Sequence, residues 1–374
     1  MRVSLMLLRI LVGVLFIFSG LVKANDPLGL SYKMQEFFEV WGTEFLNPYT
    51  LFFSVSMIAF EIIAGVAVLA GWQMRLFSWL LLLLIIFFTF LTGYAVLSGK
   101  VKQCGCFGDC IPLDAWQSFI KDLLLLAMIL FIFRYRAAIK PFLSVTGSVI
   151  SLFFGGIFSL ALMWYALNHL PPVDCLPYKK GVNMLGAMKI PEGATLDSTV
   201  ITFVYDHQGK QIEFTADAFP EDFNDSTYTF IKRYDKLVRE GNAKPAINDF
   251  SLTNRQGEPV TETILSAEGY KLLLFIREDY PQGDWSDMAM MIAQQASNTG
   301  IARVLVTSTA LDKLYTNPLP VFYRFEPVLC DVVAIKTAAR TNPTLYLLNK
   351  DTIVEKWAYN DLDKALVYIQ NLYK

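Results

Sequence analysis

Residues 76–97, LFSWLLLLLIIFFTFLTGYAVL, contain no charged side chain. An apolar helix of this length crosses a hydrocarbon core of about 30 Å. Four further apolar runs occupy residues 3–22, 49–70, 117–133 and 143–167. The first half of the chain therefore predicts an all-α transmembrane helical bundle of about five spans. The weakest run is the one at 117–133, because Lys121 and Asp122 lie near its start and are expected at the membrane interface.

The composition implies two regions that fold in different solvents. Hydrophobic residues make up 54% of the 374 residues, and the apolar runs all precede residue 170. The first region contacts the lipid bilayer, whereas the second has the mixed composition of a soluble domain. The formal net charge is −2, which argues against a nucleic-acid partner.

The first run could be a cleaved signal peptide or a retained membrane helix. Val-Lys-Ala at residues 22–24 resembles a signal-peptidase site, but the run exceeds a signal core of about 7–15 residues and contains Arg9. We therefore expect a retained helix. The short loops place arginines on the amino-terminal side, which favours an inside amino terminus. With five spans, the loop after residue 97 and the carboxy-terminal half would face the periplasm of a bacterium, with the spans in its inner membrane.

Three of the five cysteines, Cys104, Cys106 and Cys110, lie in the hydrophilic loop that follows residues 76–97. Thiols this close together, in a compartment where disulfides persist, indicate redox chemistry. All three are candidate catalytic residues. Cys104 and Cys106 would form the reactive pair, with Cys110 or Cys175 as the resolving thiol. A structural disulfide that pins the loop is the alternative. No metal site is predicted, because the chain has only two histidines and neither lies in this loop, although three thiolates could hold a soft metal ion.

Besides Lys121 and Asp122, two charged residues lie inside apolar runs, Arg9 in the first and Glu61 in the second. An ionised carboxylate in hydrocarbon costs several kcal/mol unless it is protonated or paired. Glu61 should therefore point into the bundle, and Arg9 is its candidate partner. This pair either relays protons or contacts a quinone, or it fixes helix packing as a buried polar pair.

Residues 171–245 form a connector between the membrane region and the last domain. Residues 200–205 and 211–214 read as short strands joined by a turn that contains a glycine, which predicts a β-hairpin. Residues 222–242 have apolar side chains at helical spacing and end in Gly-Asn, which predicts an amphipathic helix.

Residues 246–374 alternate strand and helix patterns. Residues 271–276 form an apolar strand of the kind buried on both faces, and residues 285–296 read as the next helix. A second strand at 303–306, a hairpin over 344–359 and a last helix at 361–373 complete the order β, α, β, α, β, β, α. This order predicts a mixed sheet flanked by helices.

This order, together with the approach Asn-Pro-Thr at residues 342–344, resembles the thioredoxin-like fold. The resemblance implies that Pro343 is cis and faces the active site. The chain departs from that family at residues 279–284, where Asp-Tyr-Pro-Gln-Gly-Asp replaces the Cys-x-x-Cys motif. Without a thiolate there is no nucleophile for disulfide exchange. The domain is therefore expected to bind clients through Pro343, Asp279 and Tyr280 and not to catalyse, and Cys330 reads as a buried apolar residue.

The membrane region resembles the DoxX and MauE families of small helical membrane proteins. The resemblance rests on Arg9, Glu61 and Lys23, on the Cys-Gly-Cys-Phe-Gly motif at residues 104–108, and on the Lys-Asp pair at residues 121–122. Proteins of this kind are associated with periplasmic redox processes, and MauE with maturation of a disulfide-rich, quinone-bearing enzyme. Methylamine itself is not predicted as the substrate.

Three classes of function remain open from the sequence. The first is a redox-associated membrane protein that exchanges thiol/disulfide electrons between a periplasmic partner and a quinone through Cys104 and Cys106. The second is a non-enzymatic membrane scaffold or maturation factor whose soluble domain binds a periplasmic client. The third is a small-molecule carrier, for which a single intramembrane carboxylate is thin support. Quinone is the one candidate cofactor.

Overall fold

The computed structural model describes residues 2–101, 105, 108–195, 198–224, 226–239, 241, 243–278, 280–281, 283–316 and 318–372. Three of the predicted site residues, Cys104, Cys106 and Asp279, lie outside the described residues. The chain folds into an amino-terminal helical part, a three-stranded sheet and a carboxy-terminal α/β part.

The amino-terminal part contains the predicted spans as helices. In chain order its helices are α1 (Arg2–Asn25), α2 (Pro27–Trp41), α3 (Thr50–Ala70), α4 (Met74–Ser98), α5 (Ala115–Arg134) and α6 (Val145–Asn168). All of these except α2 are long and apolar enough to cross a membrane. The predicted five-span bundle is therefore confirmed.

Helix α2 was missing from the sequence prediction. Its start is well specified, because the Asp26 side chain accepts a hydrogen bond from the backbone N–H of Gly29 at 3.0 Å and Pro27 occupies the first helical position. Its end is set by Gly42, which adopts a φ of 67°. The helix is too short and too polar to be read as a span, so only its caps could have revealed it.

Helices α1 and α3 pack closely because glycines line their contact. A Cβ atom at Gly13 would lie 2.6 Å from Cγ of Leu69, and one at Gly20 would lie 2.5 Å from Cγ1 of Ile62. Small residues permit this approach in membrane helices, as elsewhere. The contact aligns residue 20 with residue 62 and thereby decides which polar side chains of the two helices meet.

Past α6, the short helix α7 (Met184–Ala187) leads to a sheet of β1 (Ser198–His207), β2 (Lys210–Thr215) and β3 (Tyr228–Arg239) in the order β2-β1-β3. Both neighbours of β1 run antiparallel to it. The helix predicted over residues 222–242 is therefore wrong, because this segment pairs with β1 as β3. Pairing with a strand distant in sequence overrode the helical spacing of its apolar residues.

The carboxy-terminal part has a six-stranded sheet in the order β4-β7-β6-β5-β8-β9. Its elements are β4 (Leu252–Thr253), α8 (Thr261–Ser266), β5 (Tyr270–Ile276), α9 (Trp285–Asn298), β6 (Ala302–Thr307), α10 (Leu311–Leu314), β7 (Glu326–Cys330), α11 (Val332–Ala338), β8 (Thr344–Asn349), β9 (Thr352–Ala358) and α12 (Leu362–Asn371). β5 runs parallel to β6 and antiparallel to β8, which pairs with β9. This topology confirms the α/β, thioredoxin-like fold class.

Strand β5 lies at the centre of this sheet and is buried on both faces, as its unbroken apolar run predicted. Leu272 and Leu274 pack with α9 and α12, whereas Leu273 and Phe275 pack on the opposite face. Met184 of α7 also belongs to that second core. The segment before the three-stranded sheet is therefore anchored to the carboxy-terminal domain.

Candidate functional site

The cysteine loop is tied to the segment that leaves the membrane by a disulfide between Cys110 and Cys175, whose Cα atoms are 4.7 Å apart. Asn25, at the end of α1, supports this link. Its side-chain amide donates to the carbonyl of Val173 and accepts from the Val173 N–H, both at 2.8 Å. The sequence predicted that either Cys110 or Cys175 is the resolving thiol. In the structure these two cysteines are bonded to each other. The pair corresponds to the alternative interpretation of a disulfide that pins the loop.

Arg340 joins the α/β domain to this loop. It lies between α11 and β8, is only 4% exposed, and its Nε donates to Oδ2 of Asp26 at 2.7 Å. Its Nη2 donates to Asp109, the residue next to Cys110. Burial acts to lower the pKa of Arg340, but the charges of Asp26 and Asp109 outweigh it and raise the pKa above its ordinary value. Arg340 is therefore a permanent cation between two carboxylates of the membrane part.

Other contacts extend the attachment around Arg340. Lys336 donates to Oε1 of Gln35 at 3.2 Å, and its ammonium lies 5.0 Å from the ring centre of Tyr32 on α2. On the far side, Lys356 pairs with Asp174 at 2.6 Å. The hydrogen bonds between His169 and Asp361 and between Tyr359 and Asn168 lie at the end of α6. The α/β domain thus lies at the same end of the bundle as the cysteine loop.

This attachment changes the interpretation of Pro343. The Asn342–Pro343 peptide bond is cis, as the thioredoxin-like resemblance implied. However, Arg340, Thr341, Asn342 and Pro343 are all buried. Pro343, which was predicted to contact clients, is therefore buried in a loop that Arg340 holds against Asp26 and Asp109, and its client-binding role stays a prediction.

Tyr280 lies against the core of the α/β domain. Its ring packs on Trp285 and Phe322, each with ring centres 5.9 Å apart, and it is half-buried against the hydrophobic core beside α9. Such packing is typical of a structural aromatic residue. The resemblance had grouped Tyr280 with Asp279 as a contact for clients, and Asp279 lies outside the described residues.

The buried carboxylate of Glu61 pairs with Lys23, and the predicted pairing with Arg9 is wrong. Lys23 Nζ lies 2.6 Å from Oε2 of Glu61, and both side chains are 2% exposed. Ser19 also donates to this carboxylate, at 3.4 Å. Arg9 instead donates to the carbonyl of Lys140 at 3.1 Å. Fourteen residues of helix separate Arg9 from Lys23, about 21 Å along the axis, so Glu61 can reach only the latter.

A second ionisable pair faces the first across a small cavity. Lys121 pairs with Asp122 at 2.7 Å, and Thr92 Oγ1 donates to Asp122 Oδ2 at 3.1 Å. Asp122 is 1% exposed, so its carboxylate points into the bundle and not toward lipid. The cavity has a volume of about 50 Å³ and is lined by both pairs. That volume holds a few water molecules, since each needs roughly 10–15 Å³.

The loop between α4 and α5 lies over the start of α2. Gly105, the residue between Cys104 and Cys106 in the sequence, lies against Lys33, because a Cβ added there would be 3.0 Å from Lys33 Cγ. Gly29 similarly lies next to Asp109. Within the described part of the chain, no three His, Cys, Asp or Glu side chains are close enough together to hold a metal ion.

Cys330 is buried in the core beside β5, and burial raises the pKa of its thiol to about 12. Because only the thiolate reacts, we expect Cys330 in the folded protein to be alkylated at least about a hundredfold more slowly than an exposed thiol. Rates of iodoacetamide labelling at mildly alkaline pH, followed by mass spectrometry, would measure this. A cysteine placed on exposed α12 by Asp363→Cys is the matched control. Equal rates at both positions would show that Cys330 is accessible and reactive.

Comparison with known proteins supports the membrane assignment. Residues 1–135 match the family model described as methylamine utilisation protein MauE, and residues 199–240 match a domain of unknown function, DUF8463. Protein TlpB of Flavobacterium psychrophilum is 28% identical over 132 residues, which are 34% of this chain and 35% of TlpB. The match thus spans about a third of that relative's length. The amino-terminal part is therefore similar to MauE, and its five apolar helices indicate a multi-pass membrane protein.

Among solved structures, the crystal structure of Arabidopsis thaliana ScoI with copper bound is similar to part of the chain. It covers 34% of this chain and 98% of ScoI, with 17% sequence identity and a TM-score of 0.25. The thioredoxin-like assignment of the present chain rests on its own strand order.

Proposed function

We propose that this protein is a redox-associated protein of the bacterial inner membrane, in which Cys104 and Cys106 exchange electrons between a periplasmic partner and a quinone. The observation that best supports this proposal is the Cys110–Cys175 disulfide. Among the described cysteines, Cys110 and Cys175 are bonded to each other and Cys330 is buried in the α/β domain, so we assign the exchange to Cys104 and Cys106, which lie outside the described residues. The proposal narrows the candidate catalytic set from three loop cysteines to two.

The proposed exchange has two balanced steps. A Cys104–Cys106 disulfide takes two electrons and two protons from a dithiol of the partner, which becomes a disulfide. The resulting Cys104 and Cys106 thiols then pass two electrons and two protons to a quinone, which leaves as the quinol. No further oxidant is required.

The ion pairs of the bundle fit the proton transfers of this reaction. Lys23–Glu61 and Lys121–Asp122 line one cavity, so protons can pass between carboxylates through water. The competing interpretation is that these buried pairs only fix helix packing. A variant with Lys23 and Glu61 both replaced separates the two roles.

The α/β domain has a positioning role in this proposal. Arg340 holds Asp109 beside Cys110, which supports a domain that fixes the cysteine loop. A client or partner would then bind outside the covered Pro343 face. The same attachment favours the second candidate, a non-enzymatic scaffold or maturation factor, since a docked domain without a reactive thiol can assemble proteins without electron transfer.

The loop charges support a proposal for the side of the membrane on which the α/β domain lies. The α/β domain and the cysteine loop share one end of the bundle, through Arg340 and Asp109. The arginines between α5 and α6 lie at the opposite end and favour the cytoplasm. We therefore place the loop and the α/β domain in the periplasm.

The redox state of the individual cysteines tests the proposal. In cells with an active respiratory chain, we expect Cys110 and Cys175 to remain in their disulfide while Cys104 and Cys106 shift toward thiols when respiration is blocked. Differential alkylation and mass spectrometry would measure this, with Cys110 and Cys175 as the internal control. A Cys104–Cys106 pair that keeps one redox state in both conditions would contradict electron exchange and favour the scaffold.

A further inference from the structure

The structure contains a large apolar groove that the sequence did not predict. It lies between α2, α3 and α4 and has a volume of about 460 Å³. Its walls are mainly apolar and include aromatic side chains from each helix, with Phe37 and Trp41 from α2, Phe60 from α3 and Phe87 from α4. The groove exists because α2 folds back against the bundle. Its size falls in the range of about 300–1,000 Å³ that is typical of small-molecule sites.

Few polar side chains line this groove: Lys33, Ser56 and Thr92. Lys33, from α2, lines it and also lies against Gly105 of the cysteine loop. Thr92, from α4, lines it too and donates a hydrogen bond to Asp122 in the neighbouring cavity. The groove therefore connects the loop that carries the cysteines with the buried carboxylates.

Phe88 separates the groove from the cavity. It lines both spaces, and the Lys23 ammonium lies 5.0 Å from the centre of its ring. A molecule in the groove would thus lie next to both ion pairs while remaining in an apolar environment. This arrangement suits an occupant that is apolar along its length and exchanges protons at one end.

We propose that this groove binds an isoprenoid quinone, with its ring near Lys33 and its tail between α2, α3 and α4. A quinone ring presents two carbonyl oxygens, and the Lys33 ammonium is a donor for one of them. A phospholipid acyl chain would fill the apolar walls but carries no hydrogen-bond acceptor for the Lys33 ammonium. The inference rests on the proposed function, since it names the site of that reaction's electron acceptor.

Lys33 also has a chemical role in this arrangement. When two thiols reduce the quinone, negative charge develops on the quinone oxygens before protons arrive. A nearby ammonium stabilises that charge. Lys33 is held by Glu36 at 2.8 Å and its side chain is 27% exposed, so it can approach the ring without breaking a buried pair. Lys33 is thus a positioning and charge-stabilising residue for the acceptor.

Photolabelling with an azidoquinone tests the site directly. The full-length protein is placed in nanodiscs of phosphatidylethanolamine and phosphatidylglycerol, irradiated, and mapped by mass spectrometry, with decylubiquinone as competitor. We expect labelled peptides from α2–α4 and protection by decylubiquinone. Ser56→Trp, which fills the groove, should raise the decylubiquinone concentration needed for protection by at least about tenfold.

Three further variants keep the test decisive. Leu160→Trp places the same side chain on the exposed face of α6 and should leave labelling unchanged. Lys33→Gln, which removes a partly exposed charge, should weaken protection, while Lys33→Arg should retain it. Formation of the Cys110–Cys175 disulfide reports folding in each variant.

The outcomes separate this inference from the proposed function. Labelling that is equal in Ser56→Trp and Leu160→Trp, or that added phospholipid displaces as well as decylubiquinone does, would overturn the quinone groove. If Cys104 and Cys106 still cycle with respiration in that case, the proposed function survives with an acceptor site elsewhere. Specific groove labelling with thiols that never cycle would overturn the proposed reaction and leave the binding site.

Discussion

Arg340→Ala is expected to detach the α/β domain from the cysteine loop. The substitution leaves Asp26 and Asp109 without their shared cation, and breaking a buried ion pair typically costs about 3–5 kcal/mol. Hydrogen–deuterium exchange of the full-length protein in detergent would measure this as faster exchange in residues 26–35 and 336–344.

Two variants accompany that experiment. Arg340→Lys retains the charge but loses the planar group that reaches two carboxylates at once, so an intermediate effect is expected. Arg233→Ala removes the exposed pair with Asp235 on β3 and should change exchange near residues 26–35 very little. If Arg340→Ala and Arg233→Ala gave the same exchange rates there, Arg340 would not hold the two parts together.

The second large effect is expected at the buried pair in the bundle. Glu61→Ala leaves the ammonium of Lys23 in an apolar environment without its partner, at a cost of about 3–5 kcal/mol. We expect little protein to accumulate in the membrane and a loss of thermal stability for what remains. Ser159→Ala, which removes a hydroxyl bonded only within its own helix α6, should be tolerated.

The double variant Lys23→Met with Glu61→Met separates structure from function. Replacing both charges by apolar side chains of similar size is often neutral or stabilising, so folding should recover. If the pair takes part in proton transfer, reoxidation of Cys104 and Cys106 should be slower in the double variant than in the unsubstituted protein, although the double variant accumulates normally. Normal reoxidation would show that the pair serves helix packing alone.

The spans were predictable because each depends on local composition. A stretch such as residues 76–97 must be helical in hydrocarbon, whatever its neighbours do, since every backbone polar group needs an internal partner. The order of strands and helices in the α/β domain could also be predicted, because β5 is an unbroken apolar run and the apolar residues of α9 recur at helical spacing. Those features require no knowledge of distant residues.

Other features depended on contacts between distant residues. β3 has apolar residues at helical spacing, yet it pairs with β1. The sequence predicts that Glu61 needs a partner, but Lys23 follows the first apolar run, which ends at residue 22, and so was not a candidate inside the membrane. Only the extension of α1 to Asn25 and the glycine contacts with α3 bring Lys23 to it. The Cys110–Cys175 pairing likewise could not be deduced from five cysteines.

The sequence by itself determined that this chain is a five-span membrane bundle followed by a thioredoxin-like domain without its Cys-x-x-Cys motif. Hydropathy and periodicity are properties of a single helix or strand, so they can be read from the sequence alone. The tertiary structure alone decided that Arg340 pairs with Asp26 and Asp109, that Lys23 neutralises Glu61, and that α2 closes a groove beside the cysteine loop. These three contacts depend on how whole helices and strands pack against one another. A buried charge pairs with the oppositely charged side chain that this packing brings close to it.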